Sequence, residues 1–257
     1  MKQLIKKNIF LEKSKSEYYI KNKIRSNFQH LEKSKKKILL KENINNHSVL
    51  DIGCATGDFF LALKEKFNIN YTGIDIDPIC IRNAKKKKYK NASFKTLDIF
   101  NKKLKKNSFD VVMIWNLFYM FPNWKEVLQR ACEISRKYVM FDNKIRYEGS
   151  TLVDLDLSYQ YYHSSNKRNY YIIHNLYELA SYFQIHELNL KNVYGYGYDL
   201  PGMTSARLPL EISTVKVGAF LLEKSTKKLV RKGTTKESAN KNWVNFNFDF
   251  PNFKLNK

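Results

Sequence analysis

Val49-Leu-Asp-Ile-Gly-Cys-Ala-Thr-Gly-Asp-Phe-Phe60 decides the fold of this 257-residue chain. A short apolar run ends in an acid and a glycine turn, and an apolar pattern of helical spacing follows. That is the signature of a buried parallel strand feeding a loop that brings backbone close to a ligand. Working outward, apolar runs predict further strands at about 70–74, 93–97, 109–115 and 137–141. Helical patterns lie between them. Asp58 is placed to cap the helix carrying Phe59, Phe60, Leu63 and Phe67, and Asp77-Pro78 reads as the N-cap and first-turn proline of the next. Val127, Leu128, Ala131, Cys132 and Ile134 mark another. Five alternating strand–helix units imply parallel pairing with right-handed crossovers.

In such a sheet ligands bind beyond the carboxyl ends of the strands, where strand order reverses. Asp51, the loop to Gly57, Asp75, Asp98 and Asn116 all fall at predicted strand ends. Glycines at 53 and 57 would let loop N–H groups approach a ligand. Asp75, about 20 residues on, suits the paired hydroxyls of a ribose. The turn Gly53-Cys-Ala-Thr-Gly57 lacks the G-x-G-x-x-G spacing that serves a pyrophosphate, and the further acid Asp98 follows the third strand.

Asp51, Gly53 and Gly57 resemble the first motif of the class I S-adenosylmethionine (SAM)-dependent methyltransferases. The resemblance covers residues 48 to about 143, with a completion through 222. It implies a Rossmann-like α/β fold: a seven-stranded, mostly parallel sheet flanked by helices, with the last strand antiparallel. By it the loop, including Cys54 and Ala55, holds the amino-acid end of SAM, Asp75 the ribose and Asp98 the adenine amino group. Ile76 and Ile99 line the adenine, while Trp115, Asn116 and Leu117 border the reactive end. Ala55 replaces a glycine often found in the motif, a mild change where φ stays negative.

Residues 1–47 are basic and helical in pattern. Ser14 and Glu17 have capping-box spacing, and Tyr19, Ile20, Ile24, Phe28 and Leu31 share a face. They are read as a helical lid, with Tyr18, Tyr19 or Arg25 touching the cofactor, as N-terminal helices do in similar methyltransferases. The core follows at 48–223, with an aromatic, partly basic insertion at 147–174 as a cap over substrate. A helix is expected at 176–183, and strands at about 187–193 and 215–222. Residues 224–257 form a basic extension ending in aromatics alternating with Asn and Asp, readable as a small hairpin or as disorder.

The chain carries 46 Lys and Arg against 24 Asp and Glu, a formal charge of +22. Only eight of the basic residues are Arg, the residue favoured for bidentate nucleic-acid contacts, so a solvated lysine surface is the simpler reading. Cys54, Cys80 and Cys132 are widely spaced, which suits a reducing cytoplasm and suggests no metal site. The longest mostly apolar run, 111–121, falls short of the ~20 residues that span a bilayer, and no export signal is visible.

The acceptor is to be read from the residues around the methyl group. Nucleic-acid amino-methyltransferases often carry an Asn/Asp-Pro-Pro-aromatic motif after the fourth strand. Here the place reads Trp115-Asn-Leu-Phe-Tyr119, without prolines, closer to small-molecule O- and N-methyltransferases. His163 and His174 are candidate general bases, with Tyr162 or Asp142 as alternatives. Tyr119, Lys167, Arg168 and Arg207 are candidates for holding an acceptor with a phosphate or carboxylate. The first expectation is a methyltransferase acting on an O or N atom of a small polar metabolite, phosphorylated or sugar-like, resembling methyltransferases of surface-polysaccharide or natural-product pathways. An RNA methyltransferase using the lysine-rich surface and a SAM-binding subunit without turnover are the alternatives.

Overall fold

The computed structural model describes residues 26–161, 167–200, 206–209, 212, 215–226 and 244–253. The expectations for residues 14 to 25, including Tyr18, Tyr19 and Arg25, and for Tyr162 and His163, lie outside the described residues.

Strands β1 (Ser48–Ile52), β2 (Asn70–Asp75), β3 (Ala92–Thr96), β4 (Phe109–Ile114) and β5 (Ser135–Arg146) are parallel, and they match the expected runs closely except that β5 is longer. Helices α2 (Phe59–Lys64), α3 (Pro78–Lys86) and α4 (Trp124–Ile134) connect them. Asp77 caps α3 as its sequence implies, accepting from the N–H groups of Ile79 and Cys80. Asp58 does not cap α2. Its carboxylate turns instead to Lys87 Nζ, 2.6 Å away, and accepts the Thr56 hydroxyl.

Past β5 come β8 (Ile173–Asn175), α5 (Leu176–Phe183), β9 (Leu190–Leu200), β11 (Val215–Lys224) and β12 (Asn245–Asp249). The sheet order is β12-β9-β11-β5-β4-β1-β2-β3, and β11 is antiparallel to both its neighbours. Among the described residues this sheet has nine strands where seven are expected. The extra two are β8, which lies beside β5 beyond the end of β4, and β12, which pairs in parallel with β9. A separate small sheet, β10-β6-β7, joins Tyr159–Tyr161 (β6), Arg168–Tyr170 (β7) and Ala206–Arg207 (β10).

β9 runs past its expected end at 193 through Gly195 and Gly197. Glycine weakens a strand because it packs nothing. Here the vacant face is filled by Phe250, whose ring lies where side chains at Gly195, Gly197 or Gly218 would have to go. In β12 the residues alternate in burial, with Phe246 and Phe248 packed on the core and Asn245, Asn247 and Asp249 exposed. The tail's aromatic alternation is thus a strand, with its period-2 faces.

Two apolar layers sandwich the sheet. One gathers Val112, Ile114, Phe141, Phe183 and Phe220, and the other Val111, Met113, Met140, Ile38 and Leu39. The second is covered by α1 (Lys33–Leu39), which follows a 3-10 turn at Phe28–His30, so the helical face expected to run through Phe28 and Leu31 is broken there. Around this helix Lys37 and Lys41 place ammonium groups 3.9 and 4.6 Å from the ring centres of Tyr196 and Tyr194. Part of the lysine excess thus covers aromatic faces. Among the described residues no helix is long and apolar enough to cross a membrane.

Candidate active site

The carboxyl ends of β1, β2, β3 and β4 meet along one edge, and the order reverses between β1 and β4. After β1 the chain turns through Gly53 and Gly57, at φ +76° and +75°. A side chain at 53 would meet Leu117 Cδ2 at 2.5 Å. These glycines therefore serve backbone conformation and close packing. Four of the loop's N–H groups are engaged within the chain: Gly53 N and Cys54 N donate to Ile74 O, Gly57 N to Cys54 O and Ala55 N to Asp75 Oδ2. Ala55 sits at φ +46°, not the negative φ expected of it.

Asp75, half-buried, accepts Ala55 N on one oxygen and Asp77 N on the other, each at 2.9 Å. A carboxylate has about four lone-pair sites, the property that suits it to paired hydroxyls. Asp51 is buried beneath the loop and accepts the Tyr71 hydroxyl. Burial, then the charges of Asp75 and Asp51, push the Cys54 thiol well above its ordinary pKa. The Tyr71 phenol is raised for the same reasons, burial first and Asp51 second. The loop is thus in a negative field. Asp98 is half-buried and accepts Phe100 N, with Ile99 buried behind it and Ile76 half-buried.

Beyond β4, Trp115 is buried and its indole N–H has no partner among the described residues. Asn116 adopts φ +53°, and its N–H donates to Asp142 Oδ1 at 2.5 Å. The sequence reading missed the residue that joins them. Lys35 of α1 is fully buried, with its ammonium 2.8 Å from Asn116 Oδ1, 2.7 Å from Glu32 Oε2 and 3.3 Å from Asp142 Oδ2, over the Trp115 ring at 5.2 Å. A signal existed: Leu31, Lys35, Ile38 and Leu39 share one helical stripe, so this lysine stands on the apolar face.

Asp142, named above as a base, is 3% exposed and has both oxygens engaged by Asn116 and Lys35. His174 does not meet the site. It is fully buried, its ring stacked on Phe118 at 5.5 Å and edge-on to Trp124 at 5.0 Å, with neither nitrogen hydrogen-bonded. Burial lowers its pKa to about 3.

Tyr119 is buried and tilted against Tyr171, with Lys144 Nζ 5.1 Å from its ring centre. Tyr198, on the neighbouring β9, has its phenol pKa raised by burial and then by Glu32 and Asp142. Lys167 and Arg168 are exposed, as is Arg207, whose register partner is Tyr159. Arg168 pairs with Asp156 at 3.0 Å and lies over the Tyr159 ring. The two arginines therefore gather on the small sheet, while Tyr119 belongs to the apolar cluster with Tyr171 and Ala206.

The fold and this edge define a Rossmann-like nucleotide-cofactor protein of the methyltransferase type. Residues 44–180, more than half of the chain, match the family model described as "Methyltransferase domain". The chain belongs to that family, within the class I SAM-dependent methyltransferases, and SAM is its cofactor. It is 36% identical over 95 residues to the carboxy-S-adenosyl-L-methionine synthase of Helicobacter pylori G27, covering 35% of this chain and 39% of that one. It is 30% identical over 118 residues to the tRNA (guanine-N(7)-)-methyltransferase of Prochlorococcus marinus MIT 9515, covering 42% and 56%. The chain thus spans less than two thirds of either relative. Similar solved structures include a SAM-dependent methyltransferase of Methanosarcina mazei (TM-score 0.51, 15% identity, 71% of this chain and 94% of that one). Another is YcgJ of Bacillus subtilis (TM-score 0.52, 12% identity, 74% and 97%). At these identities they show the fold.

The residues present fit the cofactor. SAM carries a sulfonium and an ammonium, and the loop that would hold it lies in the field of Asp51 and Asp75. The unpartnered Trp115 N–H is a donor awaiting an acceptor atom.

Proposed function

We propose that this chain is a SAM-dependent methyltransferase acting on an O or N atom of a small polar acceptor, phosphorylated or sugar-like, bound beneath the aromatic cap. The observation that carries it is the alignment of Gly53–Gly57, Asp75, Asp98 and Asn116 on one sheet edge. When bound, SAM supplies an electrophilic methyl: the acceptor's lone pair takes it, sulfur keeps the bonding pair, and an acceptor that arrives protonated gives its proton to a base, for which His163 and Tyr162 are the sequence's candidates. The chain's own work is positioning and exclusion of water. Asp75 orients the ribose while bracing the loop, Asp98 meets the adenine, and Asp51 offsets positive charge from below. Tyr119 and Tyr171 wall the acceptor side from solvent. The absence of prolines from Trp115–Tyr119 favours a small molecule over a base amine.

A product assay with labelled SAM across metabolite pools and RNA tests this. Label in a small metabolite is the expected outcome. Label in RNA, with binding that weakens steeply as salt rises, would favour the RNA reading that the +22 charge allows. Binding of SAM with no labelled product in either pool would favour a non-catalytic subunit.

A further inference from the structure

An ammonium group donates hydrogen bonds and accepts none. The 2.8 Å contact from Lys35 Nζ therefore fixes which end of the Asn116 amide faces it: the oxygen. The NH2 end is turned away and has no hydrogen-bond partner among the described residues. The backbone of the same residue is pinned at φ +53° by its N–H bond to Asp142, and Asp142 is pinned in turn by Lys35. Lys35 carries no free charge toward a ligand, because Glu32 and Asp142 both lie within ion-pair distance. A buried lysine with three polar partners that converge on one half-buried asparagine is more than a helix anchor needs.

We infer that Lys35 is a positioning residue of the acceptor site, holding Asn116 so that it offers only N–H donors, and that the methyl acceptor is an oxygen nucleophile rather than a primary amine. This rests on the proposed reading that Asn116 borders the transferred methyl. An amine acceptor is held by a carbonyl or carboxylate that accepts its N–H bonds, and the Asn116 oxygen is turned instead toward the buried Lys35 ammonium. An oxygen acceptor, a carboxylate or a hydroxyl that gives its proton to a base elsewhere in the site, has a second lone pair for the amide NH2 to hold while the first attacks. Asn116 then selects for chemistry, and Lys35 selects the orientation of Asn116.

The test uses the full chain as wild type, Lys35→Met and Lys35→Arg. Lys35→Met combined with Asp142→Asn serves as a substitute should the single variant fail to fold, since it leaves no unpaired buried carboxylate. The first readout is the side-chain amide of Asn116 in protein labelled with ¹⁵N-asparagine. The Asn116 side-chain amide pair is expected at matching, non-random-coil chemical shifts in wild type and Lys35→Arg, moving toward free-asparagine values in Lys35→Met. Unchanged amide signals in Lys35→Met would overturn the positioning role whether or not the enzyme turns over. The second readout is labelled SAM with a metabolite pool, separating methylated amines by cation exchange. Label on oxygen is expected, with transfer by Lys35→Met down about a hundredfold and S-adenosylhomocysteine affinity within about threefold. Label in a methylated primary amine, or a loss of transfer matched by lost affinity, would overturn it. A wild type that neither binds S-adenosylhomocysteine nor transfers label overturns the methyltransferase reading instead, and the amide signals still decide the role of Lys35.

Discussion

Asp75 Oδ2 accepts the backbone N–H of Ala55 at 2.9 Å, and Ala55 is held at φ +46°. A carboxylate at the end of one strand thus props a strained turn at the end of its neighbour. Left-handed backbone costs a non-glycine residue about 1 kcal/mol or more. Ala55→Gly is therefore expected to raise stability by roughly 0.5–1 kcal/mol, read as a higher urea midpoint at unchanged slope. A lowered midpoint would mean that the alanine methyl makes a contact worth more than the strain.

Asp75 has two tasks, and two substitutions separate them. Asp75→Ala removes both the ribose contact and the brace on Ala55, and SAM binding by calorimetry should become unmeasurable. Asp75→Asn can keep the bond to Ala55 through its amide oxygen but loses the charge and one acceptor, so affinity should fall about tenfold or more. Wild-type affinity in Asp75→Ala would remove the ribose assignment.

His174 links folding to pH. Its pKa is about 3 in the folded chain, against about 6.5 in an unfolded one. Between these values the unfolded state holds the extra proton, so this contribution is fully present above pH 6.5 and is lost as pH falls toward 3. The loss is on the order of 4 kcal/mol. His174→Phe keeps a flat ring between Phe118 and Trp124 and should flatten the stability profile between pH 4 and 6.5 relative to wild type. Parallel profiles would show that the imidazole finds a partner when charged.

Phe250 and Gly197 form a coupled pair. Phe250→Ala empties the slot and should cost roughly 3 kcal/mol. Gly197→Ala puts a methyl where the ring lies and should cost about 1–3 kcal/mol through overpacking. In the double variant the new methyl enters the emptied slot, so the costs should fall short of additive by about 1 kcal/mol. Additive costs would show that the ring and the glycine do not share that space.

The parallel half of the sheet was legible because each of its strands carries its own signal. Apolar runs, glycine turns and terminal acids are local, and β1 to β4 begin or end within a residue or two of where those signals put them. What escaped depends on partners distant in sequence. Lys35 takes its meaning from Asn116, 81 residues away. β9 runs beyond the expected 187–193 because Phe250, more than fifty residues on, fills the face that Gly195 and Gly197 leave bare. His174 has the residue type of a base, and only its neighbours Phe118 and Trp124 reveal that it is part of the core. The motif glycines show in the sequence as a turn, while the close approach of Leu117 to Gly53 and of Phe94 to Gly57 needs the fold to be seen.

The parallel pairing of β12 with β9 also closes one margin of the sheet. Without residues 245–249, β9 would be the outermost strand, eleven residues long, with unpaired backbone groups along one side and a bare glycine-lined hollow. Long uncovered edges of that kind recruit other strands. β12 covers that edge, and its outer face is polar: Asp249 pairs with Lys37 at 2.7 Å and Asn245 donates to Asn192.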